Sequence, residues 1–117
     1  MIKLLGKFCS VAAMAFLVFA ALGPAKWVPR SGLGWQLDHF VGYLGITWLV
    51  CFAWSRPLVV GGAFIALSAV LESLQIFTPD RTFDLWAVFY GGSGVVAAAV
   101  PAELLIRARR AVWAQAT

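Results

Sequence analysis

The chain has 117 residues, of which 62% are hydrophobic and 12% charged, with a mean hydropathy of +0.89. A soluble domain carries about a quarter charged residues to cover its surface, so a water-facing globule is excluded and an integral membrane protein is expected. The net charge of +4 does not point to nucleic acid, because six of the nine basic residues (Lys3, Lys7, Arg56, Arg107, Arg109, Arg110) fall where they would share one side of a bilayer, the ordinary topology signal.

The apolar runs are continuous rather than alternating, and membrane-barrel strands are only about 10 residues long. The expected fold class is therefore all-α: a single domain over residues 1–117 forming a four-helix transmembrane bundle. A first span runs from about Leu5 to Leu22 and is closed by Gly23-Pro24. A second runs from about Leu37 to Trp54, ended by the tight turn Ser55-Arg56-Pro57. A third extends from Leu58 to Phe77 and stops at Thr78-Pro79, since the residue before a proline disfavours the helical region. The last covers about Phe83 to Ile106, with Pro101 as a candidate kink. Cys9 and Cys51 fall inside spans and read as small buried apolar residues.

Placing both termini in the cytoplasm gives six Lys/Arg to that side and three (Lys26, Arg30, Arg81) to the other, which is the arrangement the positive-inside rule favours. The polar residues Asp38, His39, Glu72, Gln75, Arg81 and Asp84 then share the outer face. A rival reading of the first span is a cleaved secretory leader, with Val18-Phe19-Ala20 as the cleavage region.

On the third helix Ser68, Glu72 and Gln75 line one face, continued by Gly61. Leu67, Val70, Leu71, Leu74 and Ile76 are assigned to lipid, so the polar stripe is expected to face the bundle interior. For Ser68 and Gln75 interhelical hydrogen bonding is a sufficient account. A carboxylate at depth needs a partner, which marks Glu72 as a functional candidate. Arg81 can pair with Glu72 or clamp an anion through its planar fork. Asp84 or Thr82 can cap the fourth helix, along which Ala87, Gly91, Gly94 and Ala98 form a close-packing stripe. On the second helix His39, Tyr43, Thr47 and Cys51 share a face. His39 is either a proton carrier with an acidic partner or an interfacial histidine bonded to a neighbour. Trp27, Trp35, Trp86 and Tyr90 read as interfacial aromatics. No spacing signature indicates a metal, and no cofactor is expected.

These residues resemble the VanZ-like membrane proteins. His39-Phe40-Val41-Gly42-Tyr43 matches that family's His-Phe-x-x-Tyr. Glu72, Gln75, Phe77, Pro79 and Arg81 match its Glu-x-x-Gln-x-Phe-x-Pro-x-Arg, with Asp84 at the first acidic position and Gly94 at a glycine of the following span. The similarity covers about residues 36–98. Ala87 stands where many members have a second aspartate, Gly91 where they have asparagine, and Trp35-Gln36 where an Asp-Lys pair is frequent. The resemblance implies a small multi-pass protein of the bacterial inner membrane and cell envelope, in a family named for a member linked to low-level teicoplanin resistance.

Three functions follow as expectations. The first is a binder whose outer pocket, built from His39, Tyr43, Glu72, Gln75, Arg81 and Asp84, takes an anionic or polar lipid-linked cell-wall or polysaccharide intermediate, or a glycopeptide-type compound. The second is a membrane hydrolase or transferase using His39, Glu72 and Asp84, for which no serine or cysteine beside the cluster supplies a nucleophile. The third is a proton-coupled drug exporter, working as a homo-oligomer around Glu72. The lipid bilayer is a partner in all three.

Overall fold

The computed structural model describes residues 1–23, 32–78 and 84–116. Four helices make up the fold: α1 (Ile2–Leu22), α2 (Trp35–Trp54), α3 (Pro57–Leu74) and α4 (Leu85–Ala116). A 3-10 turn, Gln75–Phe77, prolongs α3. All four helices are long and apolar enough to cross a membrane, as the hydropathy pattern requires, and the described residues contain no strand.

Local chemistry sets the helix ends. Ser55 takes a left-handed conformation at φ 56° and returns its N–H to the Cys51 carbonyl at 2.8 Å, closing α2. Pro57 opens α3 at the first helical position, where its missing N–H costs nothing and its fixed φ is already helical. The chain thereby reverses within two residues, Ser55 and Arg56. At the other end of α3, Thr78 adopts extended backbone, as expected of a residue before proline.

Without water around the helices, association depends on close packing rather than on the hydrophobic effect, and α4 is built for it. Its expected small-residue stripe is buried: Ala87 at 4% exposure and Ala98 at 0%, with Gly91 and Gly94. Gly94 lies so near the α2 backbone that a Cβ there would run into the Phe40 carbonyl. On the α3 side, a Cβ at Gly61 would sit 3.0 Å from that of Ala99. α4 packs most extensively on α2 and next on α3, while α1 lies at the edge, mainly against α2.

Two departures from the sequence reading are informative. Leu71, assigned to lipid, is 4% exposed and belongs to the core with Tyr43, Phe64 and Val95. It lies three residues beyond Ser68, about 60° round the helix from it, and so flanks the polar stripe on its inward side. Val70, Leu74 and Ile76 are exposed as expected, while Leu67, also assigned to lipid, is half-buried against the same core. Second, α4 runs unbroken through Pro101 to Ala116, well past the expected end of the span at Ile106. Arg107, Arg109 and Arg110 are too polar for lipid, yet Ala, Arg and Gln are good helix formers, and an Arg107–Glu103 ion pair at 2.6 Å ties successive turns. Thirty-two residues correspond to about 48 Å of helix.

A cavity walled by three helices

The C-terminal ends of α1 and α3 and the N-terminal ends of α2 and α4 come together, and the polar residues gather there. We call this the polar end, and the opposite one, with Lys3, Lys7, Arg56 and Arg107, the basic end. Beneath the polar end lies a cavity of about 190 Å³. Its walls are Phe16, Leu17, Ala20 and Ala21 of α1, Trp35, Asp38, His39, Gly42, Tyr43 and Ile46 of α2, and Leu71, Glu72 and Gln75 at the end of α3. For scale, an engineered cavity of about 150 Å³ accommodates benzene.

Glu72 is 5% exposed and Gln75 7%, as their shared helical face requires. The Glu72 carboxylate accepts the backbone N–H of Asp84 at 3.0 Å, binding the end of α3 to the start of α4. The Gln75 side-chain amide donates to the Ala21 carbonyl at 2.9 Å. That carbonyl belongs to the last turn of α1, where main-chain acceptors have no intrahelical partner. One face of α3 therefore ties down both neighbours at this end.

His39 hydrogen-bonds through Nδ1 to the Trp35 carbonyl at 3.0 Å. A carbonyl only accepts, so Nδ1 carries a proton in this bond and Nε2 is the ring nitrogen left for another partner. The ring also packs edge-on against Trp35, which meets Tyr90 of α4 in the same way, both at 5.7 Å between centroids. Tyr43 of α2 and Ser68 of α3 are both buried and meet beside Gly91 of α4.

Asp84 stands immediately before α4 and caps it, its carboxylate accepting the Trp86 N–H at 2.9 Å. It reaches the cavity residues through its own N–H on Glu72 and is not itself a wall residue. The structure thus joins His39, Tyr43, Glu72 and Gln75 around one space and places Asp84 beside it. Arg81, Thr82 and Pro79 lie outside the described residues. The contribution of α1 was not anticipated, because Phe16 to Ala21 is apolar throughout and carries no local signal of an interior face. Trp35 and Asp38 are further wall residues that the motif did not single out.

Two positions at which the chain differs from the VanZ-like pattern have a physical counterpart. A Cβ at Gly91 would stand 3.0 Å from both the Ser68 hydroxyl and the Tyr43 ring, so those two side chains fill the room an asparagine would need. Ala87 is nearly fully buried, where an aspartate would require its own donors. Among the described residues no three metal-ligating side chains cluster, and the cavity wall contains no serine, threonine or cysteine. No family model, no curated protein and no solved structure matches the chain.

Proposed function

We propose that this is a VanZ-like protein of the bacterial inner membrane and cell envelope, and that its cavity binds the polar headgroup of a lipid-linked cell-wall or polysaccharide intermediate. The observation that carries the reading is the meeting of four motif residues, His39, Tyr43, Glu72 and Gln75, around a single space. The motif spacing from Glu72 to Arg81 supports the family assignment, and Ala87 and Gly91 mark this chain as a divergent member. In this reading both termini are cytoplasmic, which the six basic residues of the basic end favour, and the cavity faces the opposite side of the membrane. Link by link, His39 Nε2 hydrogen-bonds a headgroup hydroxyl, Glu72 and Gln75 hold further polar groups, and Arg81 takes a phosphate or carboxylate. The described wall carries no serine, threonine or cysteine, and its polar side chains are read here as contacts to the ligand.

The test is native mass spectrometry of the protein in nanodiscs with a polyprenyl-phosphate-linked sugar as probe. Binding should exceed that of phosphatidylglycerol and fall at least tenfold in His39→Ala and in Glu72→Gln. Equal binding of phosphatidylglycerol, or full retention in both variants, overturns the reading.

A further inference from the structure

The cavity differs from a water-facing cup in where its walls stand apart. At the basic end α1 and α2 touch: a Cβ on Gly6 would lie 3.8 Å from that of Ala53, and the Lys7 ammonium sits 5.9 Å from the Trp54 ring centroid. Toward the polar end the same two helices diverge. Gly42 is exposed although it lines the cavity, and a Cβ built on Gly42 or Gly45 meets no described atom within 4 Å. The gap is bridged at its far end by α3, through the bond from Gln75 to Ala21. The two helices therefore form a wedge, narrow at the basic end, whose open side beside Gly42 lies along the membrane-spanning length of α2.

Polarity runs down this wedge. Asp38, His39, Glu72 and Gln75 line its polar end, and Leu17 of α1 and Ile46 of α2 line the part farther along the helices. Ile46 is seven residues beyond His39, about 10 Å deeper along the helix. This sequence of surfaces matches an amphiphile lying parallel to the helices, with its polar group at the interface depth and its chain inward. A water-soluble solute would leave the apolar depth without a function.

We infer that the cavity is entered sideways from the bilayer, between α1 and α2 past Gly42, and that its lower part holds the hydrocarbon chain of the bound lipid. The inference rests on the lipid-linked ligand proposed above and adds where that ligand enters and how it lies. Gly42 is the gatepost: a Cβ there extends into the opening without meeting a described atom within 4 Å.

Three wall residues give a clean readout, because Leu17, Tyr43 and Leu71 are 8%, 6% and 4% exposed and bulk lipid reaches them only through the cavity. The full-length protein is placed in nanodiscs containing phosphatidylglycerol with a mid-chain diazirine, irradiated, and its adducts mapped by peptide mass spectrometry. Adducts are expected on these three residues, reduced at least fivefold in Gly42→Leu and unchanged in Gly62→Leu, an equally uncrowded position on α3. Thermal melting checks that both variants fold. Should Gly42→Leu fail to fold, Ile46→Trp fills the lower wedge instead and is expected to give the same reduction. Absence of adducts at all three sites, or equal yields with and without the blocking side chain, overturns lateral entry.

The two readings fail differently. Adducts that a polyprenyl-phosphate-linked sugar does not displace leave lateral entry standing and sink the headgroup assignment. Full binding of that sugar to Gly42→Leu, with no adducts in wild type, does the reverse.

Discussion

The Glu72 carboxylate and the Asp84 main-chain N–H are hydrogen-bonded at 3.0 Å, so one helix provides an acceptor for the start of the next. Asp84 then uses its own carboxylate on the Trp86 N–H, and this relay of two carboxylates organises the beginning of α4. An acidic residue at a helix N-terminus is also favoured by the helix dipole. Glu72 consequently carries a structural duty as well as the proposed binding one, and the two are separable by substitution.

Glu72→Ala removes the acceptor and leaves the Asp84 N–H without it, which should lower stability by about 1–3 kcal/mol. Glu72→Gln keeps an oxygen acceptor of the same reach and should cost under about 1 kcal/mol while still losing the ligand. Unfolding of the two variants in mixed micelles separates them. Equal destabilisation would show that the charge, not the hydrogen bond, maintains the junction.

Gln75→Ala should loosen the end of α1. The lost bond to the Ala21 carbonyl is worth about 0.5–1.5 kcal/mol, a modest shift in overall stability. Hydrogen exchange should report it more sharply, through faster exchange at Phe19 to Leu22 than in wild type. Unchanged exchange there would mean that the apolar contacts of Leu17 hold α1 unaided.

Gly94 and Gly92 make a matched pair. Gly94→Ala drives a methyl into the Phe40 carbonyl, whereas an added Cβ at Gly92 meets nothing within 4 Å. Overpacking of this kind costs about 1–3 kcal/mol, so Gly94→Ala should melt markedly earlier than wild type. Gly92→Ala should match wild type or exceed it, since alanine is the better helix former. Similar melting temperatures for the two variants would refute the close α2–α4 contact.

Thr47 is completely buried, and its hydroxyl makes no hydrogen bond among the described residues. Carrying an unsatisfied hydroxyl into the interior costs about 1–3 kcal/mol, so Thr47→Val, similar in shape and lacking that group, should be neutral or stabilising by about 1 kcal/mol. A melting point lowered by the valine would reveal that the hydroxyl has a partner.

The bundle, the interior face of α3 and the α4 seam were legible in the sequence because each departs from what lipid accepts. Ser68, Glu72 and Gln75 cannot face hydrocarbon cheaply, and a row of Gly and Ala gains nothing there. Leu71 was misassigned because core and lipid are equally apolar, so no helical periodicity tells an inward leucine from an outward one. The same limitation concealed the α1 wall of the cavity. Gln75 was readable as an interhelical donor, but its acceptor is a main-chain carbonyl 54 positions away in sequence, and main-chain groups leave no trace in residue identity. The continuation of α4 beyond Ile106 was hidden by treating the end of apolarity as the end of the helix.

That surplus helix bears on how the molecule tolerates different lipids. A hydrocarbon layer is about 30 Å thick, and a stretch longer than it is accommodated by tilting or by projection from the surface. The final arginines on their long, flexible stems can reach headgroups from several depths, so thinning or thickening the layer shifts the seat of α4's far portion. The chamber at the opposite extremity is fastened by short bonds between neighbouring helix ends and keeps its shape as that adjustment is made.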